Sequence, residues 1–313
     1  MRQSLGFSLL AAFVATIAFA PSADACSVPV FRYALERWPA DKYEILVYHE
    51  GELSADATKL TAQLRETIAA KTSPLNAYVR TVQLDGSPEP IEQKLWSEVA
   101  AGGELPLPHV VLRYPDKART PVNVAWHAPL NAGTVTGLLD SPARRQIAEK
   151  LAAGSTAVWV FLKSGDDEKD KAARKVLDDE VQVLLKKLKL PEIDEADLKL
   201  AGLTQEQGAS LKISFETVDV SRSDEAERAL IGMLLGVEPD LVPAEGEEIL
   251  PMVFPVFGRG RALYALLGAG INKDTIYEAG AFLTGPCSCQ VKEQNPGVDL
   301  CLAIDWDAKV KVT

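Results

Sequence analysis

The sequence predicts an α/β protein made of two tandem units of one element order, β-α-β-α-β-β-α, with a cysteine-containing C-terminal extension. Three observations predict it. Short apolar runs alternate with longer amphipathic stretches, as strands joined by helices do. The series runs twice along the chain. In each series a short turn, not a helix, separates the last two apolar runs. The first two strands should therefore be parallel and the last two antiparallel.

In the first unit, residues 43–49 (YEILVYH) read as a buried strand after a helix over 29–38. Residues 55–70 read as a helix with Leu60, Leu64 and Ile68 on one face. Residues 77–84 alternate as a second strand, and 91–100 as a second helix. Pro106 and Pro108 lead into a strand at HVVLRY, residues 109–114. A turn with Pro115, Asp116 and Lys117 precedes a strand over 122–126. Ser141-Pro142 opens a closing helix, since Ser caps well and Pro is tolerated in the first turn.

The second unit repeats this order after Gly154. Residues 155–162 form a strand, and 167–188 a helix with Ala173, Leu177, Leu184 and Leu188 on one side. A strand over 211–218 and a helix over 221–235 follow. Pro251 leads into MVFPVF, Gly258-Arg259-Gly260 makes a hairpin turn, and residues 262–268 return as a strand. A helix over 273–282 closes the unit. Residues 190–210 and 236–249 read as polar connectors; the charge-rich helix reads as a solvated face, with KKLK at 186–189 as a small docking patch in the alternative.

This order resembles the thioredoxin-like fold, over residues 26–153 and again over 154–284, with 285–313 as the extension. Pro108 and Pro251 stand just before the third strand of each unit, where that family carries a cis-proline. The resemblance implies a Cys-x-x-Cys after the first core strand, where a helix N-terminus lowers the thiol pKa. Here that place holds Glu50-Gly51-Glu52-Leu53 and Lys163-Ser164-Gly165-Asp166. Neither unit can exchange disulfides in the family's usual way. The phrases CSVPVFRYALERWPADKY, FPVFGRGRALYALLG and CSCQVKEQNPGVDL also resemble uncharacterised secreted proteins of planctomycete-type bacteria, which carry no assigned chemistry.

Residues 1–25 read as an export signal: Arg2, an apolar run over 5–20, then Ala23-Asp24-Ala25. The expected location is periplasmic or extracellular, with no transmembrane segment in the mature chain. Cleavage would leave Cys26 first. Ala23 and Asp24 do not match the residues that precede a lipidated cysteine, so a lipoprotein is the lesser reading. The chain has 313 residues, with 33 Lys and Arg against 44 Asp and Glu, a net charge of −11. That balance argues against a nucleic-acid surface. A protein or small ligand is the expected partner.

Export favours paired cysteines. Cys26, Cys287, Cys289 and Cys301 allow three pairings, among which sequence cannot choose. The structural reading bonds Cys287 or Cys289 to Cys301 and fastens a C-terminal strand, closing a loop worth roughly 3 kcal/mol. The alternatives are a Cys287/Cys289 redox pair, or thiolate binding of Cu(I). The usual zinc spacing of paired Cys-x-x-Cys motifs is absent.

The three histidines lie in the first unit. In the expected topology His49 ends the first strand, His109 begins the third and His127 ends the fourth, all at one sheet edge. Their imidazoles could converge on copper or zinc, with Glu50 or Cys26 joining. The plainer reading is three unrelated hydrogen-bonding histidines. Acid–base chemistry would need an orienting partner and a pocket. No phosphate loop, nucleophile elbow or His-Glu-x-x-His helix occurs. The expected role is an exported, non-catalytic binding or scaffold protein using a cleft between units. The alternatives are copper binding and thiol oxidoreduction through Cys287/Cys289.

Overall fold

A computed structural model describes residues 26–72, 74–287 and 290–310. The expected export signal and Cys289 lie outside the described residues.

An N-terminal arm comes first, strand β1 (Cys26–Pro29) and helix α1 (Val30–Arg37). The first half then runs β2 (Tyr43–His49), α2 (Ala55–Ile68), β3 (Ala77–Gln83), α3 (Pro90–Val99), β4 (His109–Arg113), β5 (Val124–Pro129), α4 (Ala132–Leu139) and α5 (Pro142–Ala152). Its four strands take the order β3-β2-β4-β5. β2 and β3 are parallel because α2 carries the chain back across the sheet. β2–β4 and β4–β5 are antiparallel.

The second half runs β6 (Ala157–Leu162), α6 (Asp167–Lys187), α7 (Glu195–Ala201), α8 (Gln205–Ser210), β7 (Phe215–Val220), α9 (Arg228–Leu235), β8 (Met252–Phe257), β9 (Arg261–Ala262), β10 (Leu266–Leu267) and α10 (Lys273–Thr284). The same order recurs as β7-β6-β8-β9, again with a parallel first pair and antiparallel last pair. After α10 come β11 (Pro286–Cys287), β12 (Val298–Asp299) and α11 (Trp306–Val310). β12 extends the second sheet beyond β9, and β11 pairs with β1. The chain is thus a mixed α/β protein with two main sheets. The Leu107–Pro108 bond is cis, and it is the only cis bond among the described residues. No helix among the described residues is long and apolar enough to cross a membrane.

Packing crosses the sequence-based bounds. Cys26, Val28, Phe31, Ala34 and Trp38 of the arm bury themselves in the second half, against Trp159, Phe257 and Leu283. The hairpin turn after β8 seats this arm. Gly258 has φ +56°, and a Cβ there would stand 2.7 Å from that of Ala34. Arg259 Nε donates to the Leu35 carbonyl at 2.8 Å. The tail does the converse: Leu302, Ile304 and Trp306 join the core that holds Ile45, Leu75 and Ile147 of the first half. That core continues through α5 and α9 onto Val158, Val160 and Phe254 of the second sheet.

Several elements depart from expectation. α4 was not foreseen, because Gly133 and Gly137 weaken its helical pattern; the Asn131 side chain caps it by accepting from Thr134 N–H. The helix expected over 221–235 opens as a 3-10 turn, Glu225–Glu227, before α9. The strand expected over 211–218 begins later, at Phe215. The connector at 190–210 holds α7 and α8. The return strand over 262–268 shrinks to β9 and β10, two short contacts with opposite ends of β8.

Candidate functional site

β4 and β5 bring two histidines together. Val111 is the ladder partner of His127, and His109 is two residues before Val111. Residues at that diagonal share a sheet face within reach of long side chains. His109 Nε2 stands 3.0 Å from His127 Nδ1, and His109 Nδ1 stands 3.1 Å from the Pro106 carbonyl oxygen. A carbonyl only accepts, so His109 Nδ1 carries a proton. In a neutral ring Nε2 then accepts the hydrogen bond that His127 Nδ1–H donates. His127 Nε2 is left with its lone pair outward. Burial pushes both imidazoles below the ordinary histidine pKa, and each neutral ring suits this chain of bonds. Trp96 packs edge-on against His109, with ring centroids 5.8 Å apart. His109 is buried; His127 leaves much of its surface to solvent but keeps the ring edge that meets His109 partly buried.

His49 stands at the same sheet end but outside this pair. Its neighbour Tyr48 is the ladder partner of His109, and alternation turns His49 to the opposite face. Its Nδ1 lies 2.9 Å from the Gly51 carbonyl oxygen. Cys26 is in the arm, buried in the second half's core. The three histidines and Cys26 therefore do not converge as expected. No group of three or more His, Cys, Asp or Glu that could hold a metal ion occurs among the described residues.

A cleft of about 1040 Å³ opens beside the pair. Trp126, Ala132 and Thr136 line it from the first half; Glu225, Ala226 and Ala229 line it from the second. Its walls are mostly apolar, with charged groups at the edge. Arg145 Nε donates to Asp140 at 3.0 Å, and Arg228 pairs with Glu225. Of these residues only His109 and His127 were legible in advance. Asn131, a good helix cap, was the one available sign of the α4 wall.

A smaller pocket of about 360 Å³ lies where the tail meets both halves. Its buried charges satisfy one another. Lys292 bonds Asp41 at 2.9 Å and also Asp299, and Arg261 Nη1 bonds Asp299 at 3.1 Å. This cluster fastens the tail.

In the loops that follow the first core strand of each half, carboxylates hold the backbone. Asp85 accepts from Gly51 N–H at 3.0 Å, which lowers its pKa. In the second half Asp170 accepts from Ser164 N–H at 2.7 Å and Gly165 N–H at 3.2 Å.

The cysteines separate in a way the sequence did not indicate. Cys26 and Cys287 are ladder partners between β1 and β11. Cys301 is far from them in packing terms, in the other core, where its thiol is free. The expected link from Cys287 to Cys301 is corrected, since the two stand in different cores; a link through Cys289 lies outside the described residues. The tail carries Cys301 across to the first half, where Arg144 Nη1 donates to its carbonyl at 3.2 Å. Burial pushes the Cys301 thiol up to about 12.

No family model matches the chain, and no curated protein matches it. Among solved structures, it is similar to the first two thioredoxin domains of Saccharomyces cerevisiae Eps1p. That likeness covers 80% of this chain and 94% of that one, at 12% identity and a TM-score of 0.22.

Proposed function

We propose that the chain is an exported binding protein, built from two thioredoxin-like units without redox motifs, that takes an apolar ligand in the cleft between its halves. The cleft beside His109 and His127 carries this reading. Its volume suits a small molecule or a short peptide segment. Its walls supply apolar contact, and His127 Nε2 supplies one oriented acceptor. The ligand should therefore present a hydrogen-bond donor at one end of an apolar body.

The copper or zinc alternative fits these histidines poorly. Three of the four ring nitrogens of His109 and His127 are committed, to each other and to Pro106. A metal bridging both rings would have to break that chain of bonds. The thiol oxidoreductase alternative rests on Cys287 and Cys289 and has no described geometry behind it.

The test is titration with N-phenyl-1-naphthylamine, an apolar fluorophore with one N–H donor. Saturable enhancement is expected, weakened about tenfold in His127→Phe, which removes the acceptor. It is expected to be lost in Thr136→Trp, which fills the cleft. Equal binding by wild type and Thr136→Trp would overturn the proposal.

A further inference from the structure

We propose that Cys26 and Cys287 form a cross-strand disulfide that latches the N-terminal arm to the end of α10. The two are direct partners in the antiparallel β1–β11 ladder. Directly opposed residues in such a ladder have Cα atoms about 4.5–5.5 Å apart and side chains on one face. That separation falls inside the range a disulfide spans, roughly 4.4–6.8 Å.

The two thiols also share their surroundings. Burial raises the Tyr33 hydroxyl pKa, and both thiols add to that rise. The two cysteines are also buried, at 2% and 0% exposure, in one apolar cluster with Tyr33 and Leu283. The arm is held there independently of sulfur. Ser27 N–H and Oγ both lie 2.6 Å from Asp197 Oδ2, and Val30 N–H donates to the Gly285 carbonyl at 3.0 Å. Folding thus brings the two thiols into register before any bond forms.

The chemistry is two-step exchange with a low-molecular-weight disulfide such as oxidised glutathione. The Cys26 thiolate attacks one sulfur, releases one glutathione thiol and leaves a mixed disulfide. The Cys287 thiolate then attacks Cys26 Sγ and releases the second. Two S–H protons leave, one protein S–S bond forms, and two electrons reduce glutathione disulfide to two thiols. Burial raises the Cys26 pKa, which makes the first step slow at neutral pH. Cys301 takes no part, since it lies in the other core.

The test equilibrates the purified protein in glutathione buffers of rising oxidised fraction, alkylates remaining thiols and maps peptides by mass spectrometry. A linked Cys26–Cys287 peptide is expected, with Cys301 alkylated only after denaturation. The link should persist in Cys289→Ser and vanish in Cys26→Ser. The oxidised wild type should melt higher than the reduced form, on the order of 5 °C. A Cys287–Cys289 link, any bridge to Cys301, or full alkylation of Cys26 and Cys287 in the most oxidising buffer would overturn the proposal. This test does not involve the cleft, so its outcome is separable from ligand binding.

Discussion

Glu227, from the second half, caps a helix of the first half through Ser141. Its Oε2 accepts from Ser141 Oγ at 2.5 Å, and its Oε1 accepts from Ala143 N–H at 2.7 Å, at the N-terminus of α5. The carboxylate is 2% exposed. A negative group at a helix N-terminus is favourable, and this one joins the two halves below the cleft.

Removing it leaves a hydroxyl and an amide unpaired in the interior. Glu227→Ala should cost about 3 kcal/mol, and Glu227→Gln about half that. Urea denaturation reads both. Wild-type stability in Glu227→Ala would contradict this role.

α9 presses on β5 at Gly232. A Cβ there would stand 2.3 Å from the Ala125 carbonyl oxygen, which is backbone and cannot turn aside. Gly232→Ala should cost roughly 2–3 kcal/mol by overpacking, despite better helix propensity. It should also raise amide exchange in β5, read by hydrogen–deuterium exchange. Stabilisation would show that the halves do not meet there.

The paired imidazoles predict an acid limb. Both are held below the ordinary value by burial. The unfolded chain therefore binds protons first as pH falls through about 6.5, the ordinary histidine value. Their contribution is complete above that value and is lost progressively below it. The urea midpoint should fall more between about pH 7.5 and 5.5 in wild type than in the His109→Gln/His127→Gln variant. Equal declines would mean that the pair is not held neutral.

Asn76 ties the tail to the first half. Its Nδ2 donates to the Asp41 carbonyl at 2.7 Å and the Leu300 carbonyl at 3.1 Å, and its Oδ1 accepts from Leu302 N–H at 2.8 Å. Asn76→Ala should cost about 2 kcal/mol and release the Leu302 amide to exchange. An unchanged Leu302 protection factor would contradict this.

Strand order was legible because linker length dictates direction: α2 and α6 force parallel pairs, and the short turn at Gly258 an antiparallel one. The meeting of His109 and His127 followed from the same rule. His49 misled because a strand turns over at each residue, and counting strand ends ignores that. The destinations of arm and tail were not legible. Phe31 and Ala34 announce burial, as do Leu302 and Trp306, but an apolar stripe does not say which half covers it. For the same reason the sequence does not separate Cys301 from Cys287, which the fold places in different cores. The cleft was illegible too, since its far wall, Ala226 in the 3-10 turn and Ala229 in α9, comes from a segment some ninety residues beyond α4.

The most direct measurement is a 1H–15N NMR titration of the protein with N-phenyl-1-naphthylamine, with the imidazole nitrogens observed alongside the amides. The proposal predicts shifts confined to cleft residues from both halves, Ala132, Thr136, Ala226 and Ala229 among them. His127 Nε2 should read as an unprotonated acceptor before the ligand arrives and move on binding. Shifts scattered over the surface, or a cleft and a His127 Nε2 that stay unmoved at saturation, would contradict it.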